Sequence, residues 1–166
     1  MAFIGNPALA SSAPISNDGF WPDLLTGDLM AKYRIPSEYE GGVIETGLIM
    51  AMIQVNAQLE AVKQTIIDLG HADLDAYIAT KSQLIGGKEV LLSQYEHAVY
   101  TRAKAGLLQQ FKTMNRRKIA ETEAKESDET ELYWLDQSQS MIKQFFDLLI
   151  PLNSVVGKAN THVALL

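Results

Sequence analysis

The side chains able to do chemistry are few and scattered. His71, His97 and His162 are each separated from the next by more than twenty residues. None falls in an HExxH or His-x3-His pattern, which would set two ligands on one helical face for a metal. Asp73 and Asp75 resemble a fragment of a cation-binding loop, but the central glycine and closing glutamate of an EF-hand are missing, so an ordinary loop or turn is expected over 71–75. There is no GxxxxGK[ST], no GxGxxG after a strand and no GxSxG, so neither a phosphate cradle nor a nucleophile elbow is written in the chain. Gly41-Gly42 and Gly86-Gly87 read instead as breakers ahead of helices. Cysteine is absent, which removes thiolate zinc sites, iron–sulfur clusters, cysteine nucleophiles and a disulfide framework, and is compatible with a reducing cytoplasm. The sequence therefore offers no catalytic residue, no metal site and no cofactor site, and an enzyme is not expected.

Charge is the remaining chemical signal. Lys112, Arg116, Arg117 and Lys118, with Arg102 nearby, form the one basic concentration, and the acidic run Glu121, Glu123, Glu126, Asp128, Glu129 and Glu131 follows at once. Such runs are usually solvated faces, but adjoining blocks of opposite sign also suit contacts between subunits. A second reading, a small helical DNA-binding or regulatory protein, would use Arg102, Lys104, Lys112, Arg116, Arg117 and Lys118 against phosphates and would bind in a strongly salt-dependent way. A net charge of −6 weighs against it.

These residues need elements to position them. The chain has 166 residues, 47% hydrophobic and 20% charged, which predicts one globular unit with a real core and no need of disulfides. No apolar run approaches the roughly 18 residues needed to span a bilayer, so a soluble chain without membrane contact is expected. Residues 1–18, rich in Ala, Ser, Pro, Gly and Asn, cannot build a core and read as an extended N-terminal arm; lacking Lys or Arg at its start, it is a poor secretory signal. Asn17-Asp18-Gly19 is a turn signal, and Phe20 and Trp21 after it are large aromatics that should anchor the arm.

A short helix is expected over Thr26–Tyr33, stopped by Pro36. From Gly41-Gly42 to Gly70, apolar residues at 44, 48, 52, 55, 59, 62, 66 and 69 trace the stripe of one long amphipathic helix, with Gly70 as a left-handed cap. A second long helix should run from about Lys88 to Met114-Asn115, with small Ala98, Ala103, Ala105 and Gly106 admitting a close neighbour. A third should start at Ser127 or Asp128, face inward with Leu132, Leu135, Ile142, Phe145, Phe146 and Leu149, and end within a turn of Pro151. Of Tyr133 and Trp134, one must point away from the centre. Residues 115–126 lean toward helix, and 152–166 read as a tail able to pair with something else. The expected fold class is all-α: a bundle of three to four helices over 19–151, with extended N- and C-terminal arms.

Three stretches carry a resemblance. Asn17-Asp18-Gly19-Phe20-Trp21-Pro22-Asp23-Leu24, then Ala51-Met52-Ile53-Gln54-Val55-Asn56-Ala57-Gln58-Leu59, then Tyr95 to Leu108 with its Ala103-Lys104-Ala105 run, resemble in order the head completion (L-type) proteins of contractile-tailed temperate phages. The apolar end from Thr161 to Leu166 is similar to that family's C-terminus. The likeness covers the chain from about Ser16 onward, departing in the 110s–120s and over 153–160.

It implies a virion protein of the neck, made in the host cytoplasm: a head–tail connector adaptor forming a ring of about twelve copies beneath the portal after DNA packaging. Its partners would be further copies of itself, the portal protein, and a tail terminator or stopper protein, with genomic DNA passing through the lumen without sequence-specific binding. On that reading Thr161, Val163, Leu165 and Leu166 are portal-docking candidates, Lys112, Arg116, Arg117, Lys118, Glu121, Glu123 and Glu126 are subunit-interface candidates, and Phe20 and Trp21 anchor the arm.

Overall fold

The structure is a computed structural model that describes residues 13–36, 39–115 and 131–157, the side chains of 112–115 and 150–157 excepted. The fold is all-α: α1 (Thr26–Tyr33), α2 (Gly41–Gln58), α3 (Glu60–Asp68), α4 (Leu74–Thr80), the two-residue strands β1 (Leu84–Ile85) and β2 (Lys88–Glu89), then the long α5 (Val90–Asn115) and α6 (Glu131–Gly157). Among the described residues, no helix is long and apolar enough to cross a membrane.

Helix α5 is the axis of the molecule because apolar or small residues occur on most of its circumference. Tyr95, Ala98, Val99, Tyr100, Ala103, Ala105 and Leu107 are all buried. Helix α6 lies antiparallel to it: Gln94 donates to Gln144 at 2.7 Å, Ser138 Oγ donates to the Ala98 carbonyl at 2.8 Å, and Lys104 Nζ sits 3.9 Å from the Trp134 ring centroid. A serine hydroxyl reaches a neighbouring helix's backbone only where the two axes approach closely, and Ala98 supplies that room. Helix α2 also runs antiparallel to α5, with Gly47 against Leu107, Gln54 accepting from Arg102 Nε at 2.8 Å and Asn56 meeting Tyr95. Helix α1 covers a third side, where the Tyr100 hydroxyl donates to the Leu25 carbonyl and accepts from its N–H, both at 3.2 Å.

The Thr26–Tyr33 helix appears with the bounds its sequence predicts, and Gly70 takes a left-handed conformation, φ 91°. Five features depart from sequence expectation. The long stripe from 41 to 70 is broken at Leu59, whose ψ of 8° leaves helical geometry although its N–H still bonds the Val55 carbonyl. The break redirects the chain, since α2 packs on α5 whereas α3 packs on α6 and α4. Asp73 is the N-cap of α4, accepting from the Ala76 N–H at 2.7 Å, so the loop expected over 71–75 is shorter and ends by starting a two-turn helix.

Gly86-Gly87 is more than a breaker. Both residues have positive φ, 61° and 75°, as the central pair of a two-residue hairpin turn that pairs Ile85 with Lys88. Pro151 does not end α6, which continues to Gly157 through the first residues of the expected extended tail. Proline's fixed φ is helical, so it forfeits the bond to the Asp147 carbonyl without forbidding the next turn. Leu132, expected on the inner face of α6, is 68% exposed. It lies six residues from Ser138, about 120° round the helix from the face that meets α5.

A Cβ on Gly47 would stand 3.1 Å from Leu107 Cδ2, so the α2–α5 separation depends on glycine there. Gly47→Val is expected to destabilise the chain by about 1–3 kcal/mol through overpacking, whereas Gly47→Ala, which regains helix propensity, costs far less. Urea unfolding of the two variants against the parent chain measures both.

Candidate assembly site

Residues 15–24 form a short loop closed by an antiparallel bridge, Ile15 N–H to the Leu24 carbonyl at 2.8 Å and Leu24 N–H to the Ile15 carbonyl at 3.2 Å. Within the loop, Asp18 accepts from the N–H groups of Phe20 and Trp21 at 3.0 and 3.1 Å and meets Lys63 Nζ at 2.7 Å. Burial pushes the Asp18 carboxyl up, but Lys63 and the two N–H donors outweigh it and hold it below the ordinary 3.8. The loop thus presents its aromatics inward: Phe20 and Trp21 are buried in the main core, and Trp21 stacks flat on Tyr95 with centroids 4.8 Å apart.

Asn17 completes the arrangement. Its Nδ2 donates to the Tyr95 hydroxyl at 2.7 Å, that hydroxyl donates to Asn56 Oδ1 at 2.7 Å, and Asn56 Nδ2 donates back to Asn17 Oδ1 at 2.8 Å. The three residues form a closed ring of hydrogen bonds, each donor matched to an acceptor, with Asn17 also bonding the Pro22 carbonyl at 2.9 Å. Burial raises the Tyr95 pKa well above its ordinary 10.0, so its hydroxyl keeps the proton the ring requires. Asn17, Asn56 and Tyr95 come one from each of the three sequence stretches singled out above. No short-range spacing links them; the only sequence hint is a polar Asn56 and a phenolic Tyr95 beside apolar stripes.

Beside this clasp the surface is apolar. Helix α2 carries one charged residue, Glu45, in its whole length. Its inner face buries Ile44, Leu48, Ala51, Met52 and Val55, while Ile49, Met50 and Ile53 remain exposed, Ile53 by 55%. On another side of the molecule, the hairpin tip holds out Leu84 and Ile85, the latter 71% exposed. Between α1 and α6 runs a groove of about 440 Å³ over the first turns of α5. Its walls are Tyr33 and Met141 and its floor Ser93 and His97. The Tyr33 hydroxyl is 2.8 Å from His97 Nδ1, burial with help from Glu96 and Asp28 pushes that phenol up to about 12, and burial lowers the His97 imidazole below its ordinary 6.5. Among the described residues, no three His, Asp or Glu side chains gather in a way that could hold a metal.

The charged candidates fare differently. Lys104 is buried against the face of Trp134, a cation–π contact that removes it from any phosphate surface, and Arg102 is half-buried on Gln54. Of Tyr133 and Trp134, Trp134 is the one turned under Lys104 and Tyr133 the one more exposed. Lys112 lies on the last turns of α5. Its side chain, together with Arg116, Arg117, Lys118, Glu121, Glu123, Glu126 and the tail residues Thr161, Val163, Leu165 and Leu166, lies outside the described residues, as does the arm before residue 13.

Two outcomes follow. Tyr95→Phe strands the Asn56 and Asn17 groups and is expected to cost about 1–3 kcal/mol, with a coupling to Asn56→Ala of at least about 0.5 kcal/mol in a double-mutant cycle read by Trp21 fluorescence. For His97, the unfolded chain takes up a proton below about pH 6.5 while the folded one resists it, so stability falls as pH falls through that value. The melting temperature is therefore expected to drop between about pH 7.5 and 5.5, and less steeply in His97→Gln.

Residues 15–147 match the family described as phage head completion protein (GPL), a span that opens on the Ile15 bridge and contains the whole hydrogen-bonded ring. The chain is 28% identical over 105 residues to a "Probable head completion/stabilization protein" of Haemophilus phage HP1 (strain HP1c1), covering 63% of this chain and 68% of that protein. No solved structure matches it. The match over residues 15–147, most of the chain and reaching from the arm into α6, shows the family: the chain belongs to the phage head completion proteins (GPL).

Proposed function

We propose that this chain is a structural virion protein of the phage neck that completes the DNA-filled head. Copies of it form a ring of about twelve on the tail-facing end of the portal, extend the DNA channel and present a platform for a tail terminator or stopper protein. The observation that carries the reading is family membership over residues 15–147. The relative in phage HP1 bears a name for head completion or stabilisation, in keeping with it.

Physical features of the chain support assembly over catalysis. A helix with a single charge that leaves Ile49, Met50 and Ile53 exposed gains most from a protein neighbour, and a closed ring supplies one to every subunit through a single repeated contact. A net charge of −6 repels the phosphate backbone, which suits a conduit that DNA must pass without adhering. Sequestration of Lys104 under the core removes one of the cations that a duplex-binding protein would need at its surface. The apolar end Thr161 to Leu166 is assigned to the portal, as an added strand or anchor.

Co-expression with the portal protein of the same phage, followed by purification and negative-stain imaging, tests the reading. An added ring on the tail-facing end, with its copy number countable, is expected. Two proteins that never associate, with both termini native and at low salt, would sink it. Deleting Val163 to Leu166 is expected to leave the circular dichroism spectrum unchanged while weakening portal binding; undiminished binding would show that the tail is not the anchor.

A further inference from the structure

The ring reading leaves open which surfaces of neighbouring copies meet. We propose that the exposed ridge of α2 in one copy seats in the groove between α1 and α6 of the next; the inference rests on that reading and gives it a specific contact.

Arg102, which holds Gln54 of α2, and Ser93, on the floor of the groove, are nine residues apart on α5. At about 100° per residue they stand about half a turn from each other. Tyr95, another α2 contact, is seven residues from Arg102 and so shares its side, whereas Leu107, which meets Gly47 of α2, is five residues on and about 140° round, so α2 crosses α5 obliquely. At the level of Tyr95 and Arg102, α2 therefore lies on the side of α5 opposite the groove, and Ile49, Met50 and Ile53 are exposed on its outer side. Ridge and groove are the two opposite sides of one subunit.

Opposite sides are what a ring of many copies requires. In a closed ring of n members the two contact faces of a subunit diverge by 180° less 360°/n, about 150° for about twelve copies, against about 60° for a trimer. A two-fold dimer would instead need one face complementary to itself. An α2 ridge meeting another α2 ridge would juxtapose Glu45 with Glu45 and Glu60 with the partner's acidic end, with no cation on the helix to relieve them.

The two surfaces also match in kind. The ridge is aliphatic and uncharged between Glu45 and Glu60; even the Thr46 hydroxyl is turned inward to the Gly42 carbonyl at 2.8 Å. The groove has an aromatic and thioether lining from Tyr33 and Met141, with Ile85 of the hairpin at its mouth and Lys32 and Lys88 on its rim. Lys32 already meets Asp28 at 2.7 Å and Glu96 borders the groove, so Lys88 is the cation best placed for a glutamate at a ridge end. An apolar knob with flanking acids thus faces a slot lined by Tyr33 and Met141 with Lys88 beside it, a head-to-tail contact in which every copy uses both surfaces once.

The chain has no cysteine, which makes the test direct. Ile53→Cys and Ser93→Cys, singly and combined in the full chain, are treated with a short bismaleimide after assembly, with or without portal, and size is followed in parallel by light scattering. The double variant is expected to give a ladder of covalent multimers, and a mixture of the two single variants a cross-linked dimer and nothing larger. Oligomers in solution without a ladder would leave the ring standing and overturn this contact. Dimers from Ile53→Cys alone would mean a two-fold interface and overturn it as well. A chain that never oligomerises, even on portal, would overturn the ring reading and this contact with it. Should a cysteine variant fail to fold by circular dichroism, Ile53→Asp serves instead: at a solvent-exposed site it should leave the fold intact and weaken self-association about tenfold or more, and unchanged association overturns the contact.

Discussion

A buried tyrosine hydroxyl is the constraint on which the rest of the arrangement depends. Tyr95 is fully buried in the second turn of α5, and its oxygen, out of reach of water, must be satisfied by protein. Two asparagines do this, and because they also bond each other, satisfying Tyr95 fixes two other elements at once: the loop at 15–24 and the C-terminal half of α2. Trp21 then closes the stack over the ring face of Tyr95, and Phe145 of α6 meets Trp21 edge-on at 6.0 Å. One side chain therefore coordinates the loop, α2 and α6 around α5. A directional network specifies position in a way that an apolar contact, tolerant of sliding, cannot.

With α5 enclosed on three sides, apolar residues are left over. Small domains bury less of their surface than large ones, and among the described residues five of the ten exposed large hydrophobics fall in two groups: three on one side of α2 and two at a hairpin tip. Concentration matters more than amount. Scattered exposed leucines are ordinary on any protein, whereas a contiguous ridge on an otherwise rigid helix is poised for a partner that loses little entropy on docking. The clasp holds α2 in place, so the same network that satisfies the core also orients the ridge.

Charge is arranged to the same end. Two cations of the described residues are held within the fold, Lys104 over Trp134 and Lys63 on Asp18. The pair at Lys63 ties the loop to α3, and the cation–π contact ties α5 to the start of α6. Neither of these two side chains is left free to follow a duplex backbone.

Much of the architecture was legible from residue order alone because it rests on local periodicity. The 3.6-residue spacing of apolar positions located α2 with α3, and α5; Pro36 marked the end of α1; small residues along α5 marked the close helix contact; and the Asn17–Pro22 motif signalled a turn with two aromatics to bury. What spacing cannot encode is who meets whom across the fold. Asn17, Asn56 and Tyr95 are thirty-nine residues apart in each step, and only packing brings them into one ring. The kink at Leu59 follows from α2 and α3 having different partners, the reach of α6 past Pro151 from a helix already propagating, and the exposure of Leu132 from the direction in which α6 faces α5. Sequence determined which faces are apolar, since that depends on neighbours along the chain. Tertiary structure decided which of those faces are covered and which remain open, since that depends on neighbours in space.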